Sequence, residues 1–146
     1  TYPTYWHWSD SVEARAVLTG TLHSTFGWTV HADAGANPRS LRNFPLQANG
    51  AEMLRLAACI ATEAGLKFCA PIHDALLLEA PLEHLDEDVA RLTAIMIEAS
   101  EMVMKSLACR VDAEITRYPD RYMDDGGAAM WTRVMRLIDI AESGAR

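Results

Sequence analysis

The sequence predicts an α+β domain, an antiparallel sheet with helices packed on one face. Three observations lead there. Apolar residues recur every three or four positions in several separate segments. Between them lie apolar or alternating runs too short for helices, arranged mostly in pairs around turn residues. The segments follow one another as α-ββ-α-ββ-α-β-α, so neighbouring strands connect through short loops, as antiparallel pairs do.

Thr1 and Pro3 suit the cap and first turn of a helix; Tyr5, Trp8, Val12 and Ala16 keep its spacing, and Gly20 suits its C-terminal cap. "TLHS" and "WTVH", separated by "TFG", read as a hairpin, and "ADAGANPRS" reads as a loop. Leu46 to Glu63 reads as a helix, with Met53, Leu56, Ala57, Ile60, Ala61 and Ala64 on one face and Gly65 after it. "LKFCAPI" and "ALLLEA", joined at His73-Asp74, read as strands buried in a sheet. The longest helix runs from about Leu85 to Leu107, with Asp86, Glu87 and Asp88 where the helix dipole favours acids. "CRVDAEIT" alternates and reads as one more strand, and "GGAAMWTRVMRLIDIAE" reads as a final helix. No internal repeat or low-complexity segment interrupts the order.

Length and composition bound the function. A chain of 146 residues, half of them hydrophobic, is expected to form a single domain with a real core. No apolar run approaches the roughly 20 residues that span a bilayer, and no signal peptide is visible, so a cytoplasmic protein without a membrane partner is expected. Cys59, Cys69 and Cys109 are widely spaced in apolar settings and read as buried free thiols. With 20 acidic residues against 13 basic ones, the net charge of −7 opposes a self-sufficient nucleic-acid binder. Any such role needs a local cluster or positive charge from elsewhere. The absence of Met at Thr1 fits a chain that begins inside a larger protein, and equally one that has been trimmed.

Two aspartate sites compete for chemistry. "RYMDDGG" contains Tyr122-Met123-Asp124-Asp125, the string of the reverse-transcriptase catalytic hairpin. Its context is wrong for that device: Pro119 breaks the chain before it, and Gly126 and Gly127 follow where a stiff apolar strand is needed. Asp124 or Asp125 suits the N-cap of the last helix instead. Asp74 has an apolar run on each side, the setting that would hold a carboxylate rigid and exposed, although local pattern alone favours an ordinary turn residue there.

"PRSLRNFPLQANGAEMLRLA", followed 26 residues after Gln47 by "HDALLLEAP", resembles the C-terminal part of the palm of family A DNA polymerases. The likeness covers about Tyr2 to Ile115 and leaves 116–146 as a C-terminal extension. It implies that Asp74 is one of two carboxylates holding catalytic Mg²⁺ ions and that His73 lies near the primer end. It implies also that Arg39, Asn43 and Gln47 touch the minor groove of the primer–template DNA near the nascent pair. Minor-groove acceptors are similar for all base pairs, so such residues can test pair shape without demanding a sequence. The bland readings stand beside these: Arg39 and Arg42 as solvated surface, Asn43 as a helix cap, Gln47 as an unremarkable first-turn residue, His73 as a partner of the hairpin backbone. Ala75 departs from the family, which usually has Glu at that position.

The family's first metal-binding Asp, in a "DYSxIE"-type strand, and its nucleotide-gripping helix are not found in this sequence. One carboxylate does not hold a two-metal site. The expectation is therefore a part of a DNA-directed DNA polymerase, serving DNA replication or repair, that acts with dNTP and the missing N-terminal polymerase portion and is inactive alone. The alternative is a non-catalytic remnant or split-polymerase module that binds DNA or a partner protein, and a third is an unrelated partner-binding domain. Without its remaining half the chain would expose Trp6 and Trp8, so self-association is also expected.

Overall fold

The computed structural model describes residues 1–33, 35–105 and 107–144. It is α+β, with four helices and two small antiparallel two-stranded sheets. The chain divides into two compact units, Thr1–Ala113 and Glu114–Arg146.

In the first unit, α1 (Pro3–Thr19) begins with its proline where a missing N–H costs nothing. Tyr2 takes the cap position without a side-chain bond, so Thr1 does not cap the helix as expected. Gly20, at φ 72°, ends it in the left-handed region, and its N–H donates to the Ala16 carbonyl at 2.9 Å. The hairpin of β1 (Thr21–His23) and β2 (Thr29–His31) follows, with Leu22 opposite Val30. Leu22 joins Val12, Ala16 and Leu41 in one core cluster, with Val30 and Phe44 packed against it.

Helix α2 (Pro38–Glu63) starts eight residues before the expected Leu46 and runs through Pro45. The Pro-Arg-Ser stretch expected in a loop is helical, and Ala34, also in that loop, lies outside the described residues. An earlier start outcompetes the one that Pro45 suggests: Asn37 accepts from the Arg39 N–H at 2.9 Å, with Pro38 next to it. The extra turns bury Leu41 and part of Phe44 against α1, which offsets the hydrogen bond that Pro45 cannot donate. Asn43 is therefore inside the helix and not its cap. Arg42 ties the same turns to α1, meeting Glu13 at 2.6 Å and Asp10 at 2.9 Å. The helix ends in paired bonds, Gly65 N–H to the Thr62 carbonyl and Leu66 N–H to the Ala61 carbonyl, both 3.0 Å.

Strands β3 (Phe68–Ile72) and β4 (Ala75–Leu78) pair with Ile72 opposite Ala75, leaving His73-Asp74 as a two-residue turn. Leu76 and Leu78 pack on a second core cluster of Ala61, Leu66 and Leu92, so α2 and α3 (Leu85–Met104) cover one face of this hairpin. The other face is open: Ile72 and Leu77 are each 49% exposed. The runs expected to be fully buried are thus half-buried, because no layer covers the second face among the described residues. Helix α3 closes at Lys105 in the left-handed region, short of Leu107; Ser106 lies outside the described residues.

"CRVDAEIT" forms no strand. Alternation selects a face but does not supply a ladder, and a strand exists only where another strand accepts its backbone bonds. Here the Cys109 N–H donates to the Ser100 hydroxyl at 2.9 Å instead.

In the second unit α4 (Asp125–Gly144) is the expected final helix. Asp124 caps it, its Oδ1 accepting from the Gly126 N–H at 2.9 Å. The side chain of Asp125 lies outside the described residues. Trp131, Leu137 and Ile140 on this helix are more than half exposed. Among the described residues no helix is long and apolar enough to cross a membrane.

A candidate nucleic-acid groove

A groove of about 880 Å³ opens in the first unit between α2, the His73-Asp74 turn, α3 and residues 109–111. Its walls are largely apolar, with Met53, Leu54 and Met96 among the lining side chains, and Gly50 and Ala51 keep part of the α2 side low. A Cβ added at Gly50 would meet nothing within 4 Å. Polar residues line it from four places: Gln47 on α2, His73 and Asp74 at the hairpin turn, Ser100 on α3, and Arg110 in the segment after α3.

The turn places its two residues for a local reason. A two-residue connection needs positive φ to match the twist of its strands, and His73 supplies it at φ 54°. Asp74 then sits at the second turn position, exposed, with β3 before it and β4 after it. Its carboxylate makes no hydrogen bond or ion pair with the described residues, so it is open to a ligand.

Arg39, Asn43 and Gln47 lie at successive four-residue steps of α2, and all three are exposed. Each step advances about 40° around the axis and about 6 Å along it, so they form one stripe roughly 12 Å long. Gln47 lines the same groove as His73 and Asp74; Arg39 and Asn43 lie along the helix outside it. The structure thus brings together three of the five residues singled out in the sequence and sets the other two in line with them.

Asp74 is the single carboxylate among the described groove residues. No group of three or more His, Cys, Asp or Glu among the described residues is arranged to hold a metal ion. The described residues do not by themselves fit a pair of Mg²⁺ ions, which need carboxylates from more than one position.

Three features escaped the sequence reading. Glu52, 1% exposed, is a buried carboxylate. It accepts from the Ser24 hydroxyl at 2.7 Å and is paired with Arg55, whose guanidinium stands 5.6 Å from the centre of the Trp28 ring. The Ser24 hydroxyl accepts from the Trp28 N–H at 2.9 Å, and Asn49 accepts from the Thr25 N–H at 2.9 Å, so the first hairpin's loop is clamped to α2. Arg110 at the groove is the second, in a segment read as a strand. The cysteines are the third: Cys59, Cys69 and Cys109 are free but exposed, not buried as expected. Helical spacing around Glu52 carried no signal, since an acid in a helix ordinarily reads as solvated.

No family model matches the chain, and neither the curated proteins nor the solved structures give a match.

Proposed function

We propose that this chain is the C-terminal palm portion of a DNA-directed DNA polymerase of the family A type. In it Asp74 supplies one of the metal-binding carboxylates, and Arg39, Asn43, Gln47 and His73 form part of the primer–template platform. One observation carries the reading. Gln47 and the His73-Asp74 pair, 26 residues apart in the chain, line one groove, with Arg39 and Asn43 continuing the same helical stripe. That is the arrangement the motif resemblance requires, and it does not follow from either motif separately.

The reaction of the complete enzyme is attack of a primer 3′-hydroxyl on the α-phosphate of a dNTP, with release of pyrophosphate. This chain's contribution is positioning, which makes up much of the barrier lowering in phosphoryl transfer. The α2 stripe follows a minor groove, and His73 and Asp74 are presented by a turn whose flanking strands fix the backbone. The second carboxylate and the nucleotide-binding helix come from outside this sequence.

In the complete polymerase, Asp74→Ala is expected to abolish primer extension while duplex affinity stays within about twofold. Extension surviving that change would sink the assignment. The lone carboxylate of the groove favours a second reading, a DNA-binding module without catalysis. Metal-dependent nucleotide incorporation assayed with the 146-residue chain alone is expected to be nil under both readings. Turnover by the complete protein separates them.

A further inference from the structure

Among the described residues lining the groove, two carry a fixed charge: Asp74 and Arg110. Asp74 alone would repel a phosphate approaching the groove, so an anionic ligand there needs a cation. The arginines nearest in kind are already committed. Arg42 is held by Glu13 and Asp10, Arg55 by Glu52, and Arg91 by Asp88 and the Ala64 carbonyl. Arg110 meets Asp112 at 2.7 Å, and its side chain is 85% exposed. An exposed pair of that kind contributes little to stability and yields to a stronger anion.

The segment bearing Arg110 is fixed in place. Ser100 on α3 is 2% exposed, and its hydroxyl works twice: it donates to the Ile97 carbonyl at 2.7 Å and accepts from the Cys109 N–H at 2.9 Å. The backbone immediately before Arg110 is thereby pinned to α3, although it belongs to no strand. A buried hydroxyl spent on one loop amide fixes the backbone beside Arg110, a lining residue of the groove whose planar guanidinium can match two phosphate oxygens.

We propose that Arg110 binds a phosphate group of the nucleic acid or nucleotide that occupies this groove; the inference rests on the polymerase reading above. The shared chemistry is a phosphate oxyanion, supplied either by the backbone of a primer–template strand or by the triphosphate of a dNTP. Ser100 acts as a positioning residue through the Cys109 amide.

The test is fluorescence anisotropy of the full 146-residue chain with a labelled primer–template duplex across about 50–200 mM KCl, and in a second arm with a fluorescent dNTP. Arg110→Gln is compared with wild type and with Arg136→Gln, which removes the same charge from α4. Arg110→Gln is expected to weaken binding severalfold and to reduce the steepness of the salt dependence by about one unit, while Arg136→Gln changes neither. A loss confined to the duplex arm assigns the strand phosphate, and one confined to the dNTP arm assigns the nucleotide's. Arg110 is exposed, so the variant is expected to keep the wild-type circular dichroism. Asp112→Asn, which releases the guanidinium, is expected to tighten binding. Equal binding of Arg110→Gln and wild type in both arms, or an equal loss in Arg136→Gln, overturns the role of Arg110 and leaves the polymerase reading standing. A wild-type chain that binds neither ligand also overturns the role of Arg110 and leaves the polymerase reading to the Asp74→Ala test.

Discussion

Glu52 shows how much a single side chain can decide. A buried carboxylate is tolerated only when it is paired and hydrogen-bonded, and here Arg55 and Ser24 do both. The consequence is asymmetric. Arg55 is 53% exposed and can be rehydrated if Glu52 is lost, whereas Glu52 cannot be if Arg55 is lost. Arg55→Ala is therefore expected to destabilise the chain by about 3 kcal/mol, and adding Glu52→Gln to it is expected to recover part of the loss. Urea unfolding of the two variants and the wild type checks this; a double variant no more stable than Arg55→Ala would show that the buried charge is not the cause. At the same scale His73 carries backbone strain. At φ 54° a residue with a Cβ is disfavoured, and a β-branched one more so. His73→Gly is expected to raise stability by about 0.5–1 kcal/mol and His73→Val to lower it by about 1–2 kcal/mol, read from thermal denaturation.

Among the elements, α2 does the most. Its N-terminal turns bury Leu41 against α1, its middle clamps the first hairpin through Asn49 and Glu52, and its C-terminal turns carry Ala61 into the second cluster. The Arg39–Asn43–Gln47 stripe is exposed on a helix held at three levels, which makes it a rigid platform. Helix α4 depends on a different device. Asp124 accepts from Gly126 N–H, and the two glycines behind it have little helix propensity of their own. Asp124→Ala is expected to cost that helix about 1 kcal/mol, seen as lost helicity in circular dichroism on mild heating, with duplex binding unchanged. A loss of duplex binding instead would return "YMDD" to the list of ligand sites.

For the whole molecule, both core clusters lie within Thr1–Ala113. A polypeptide of residues 1–113 is expected to unfold cooperatively, with the far-ultraviolet signal of α1, α2 and α3; a gradual, non-cooperative melt would refute the division. The open face of the β3–β4 hairpin belongs to this scale too. Ile72 and Leu77 stand exposed on the face opposite the packed Leu76 and Leu78, so the apolar runs are richer than one covered face requires.

The helices with strong periodicity, both hairpins and the two-residue turn that presents Asp74 are legible in the amino-acid order alone. These depend on spacing and turn chemistry, which are local. That order also separated Asp74 from Asp124, since flanking apolar runs and glycines are read directly along the chain. It misplaced the start of α2, because Pro45 resembles a first-turn proline until Leu41 and Phe44 find α1 to pack on. It misread residues 109–116, because alternation cannot say whether a partner strand exists. The meeting of Gln47 with His73 and Asp74 around one groove, the burial of Glu52, and the placement of Arg110 through Ser100 were decided only by the tertiary structure. Each joins residues at least nine positions apart, and contact at that separation is fixed by how the helices and hairpins pack, not by any pattern within one of them.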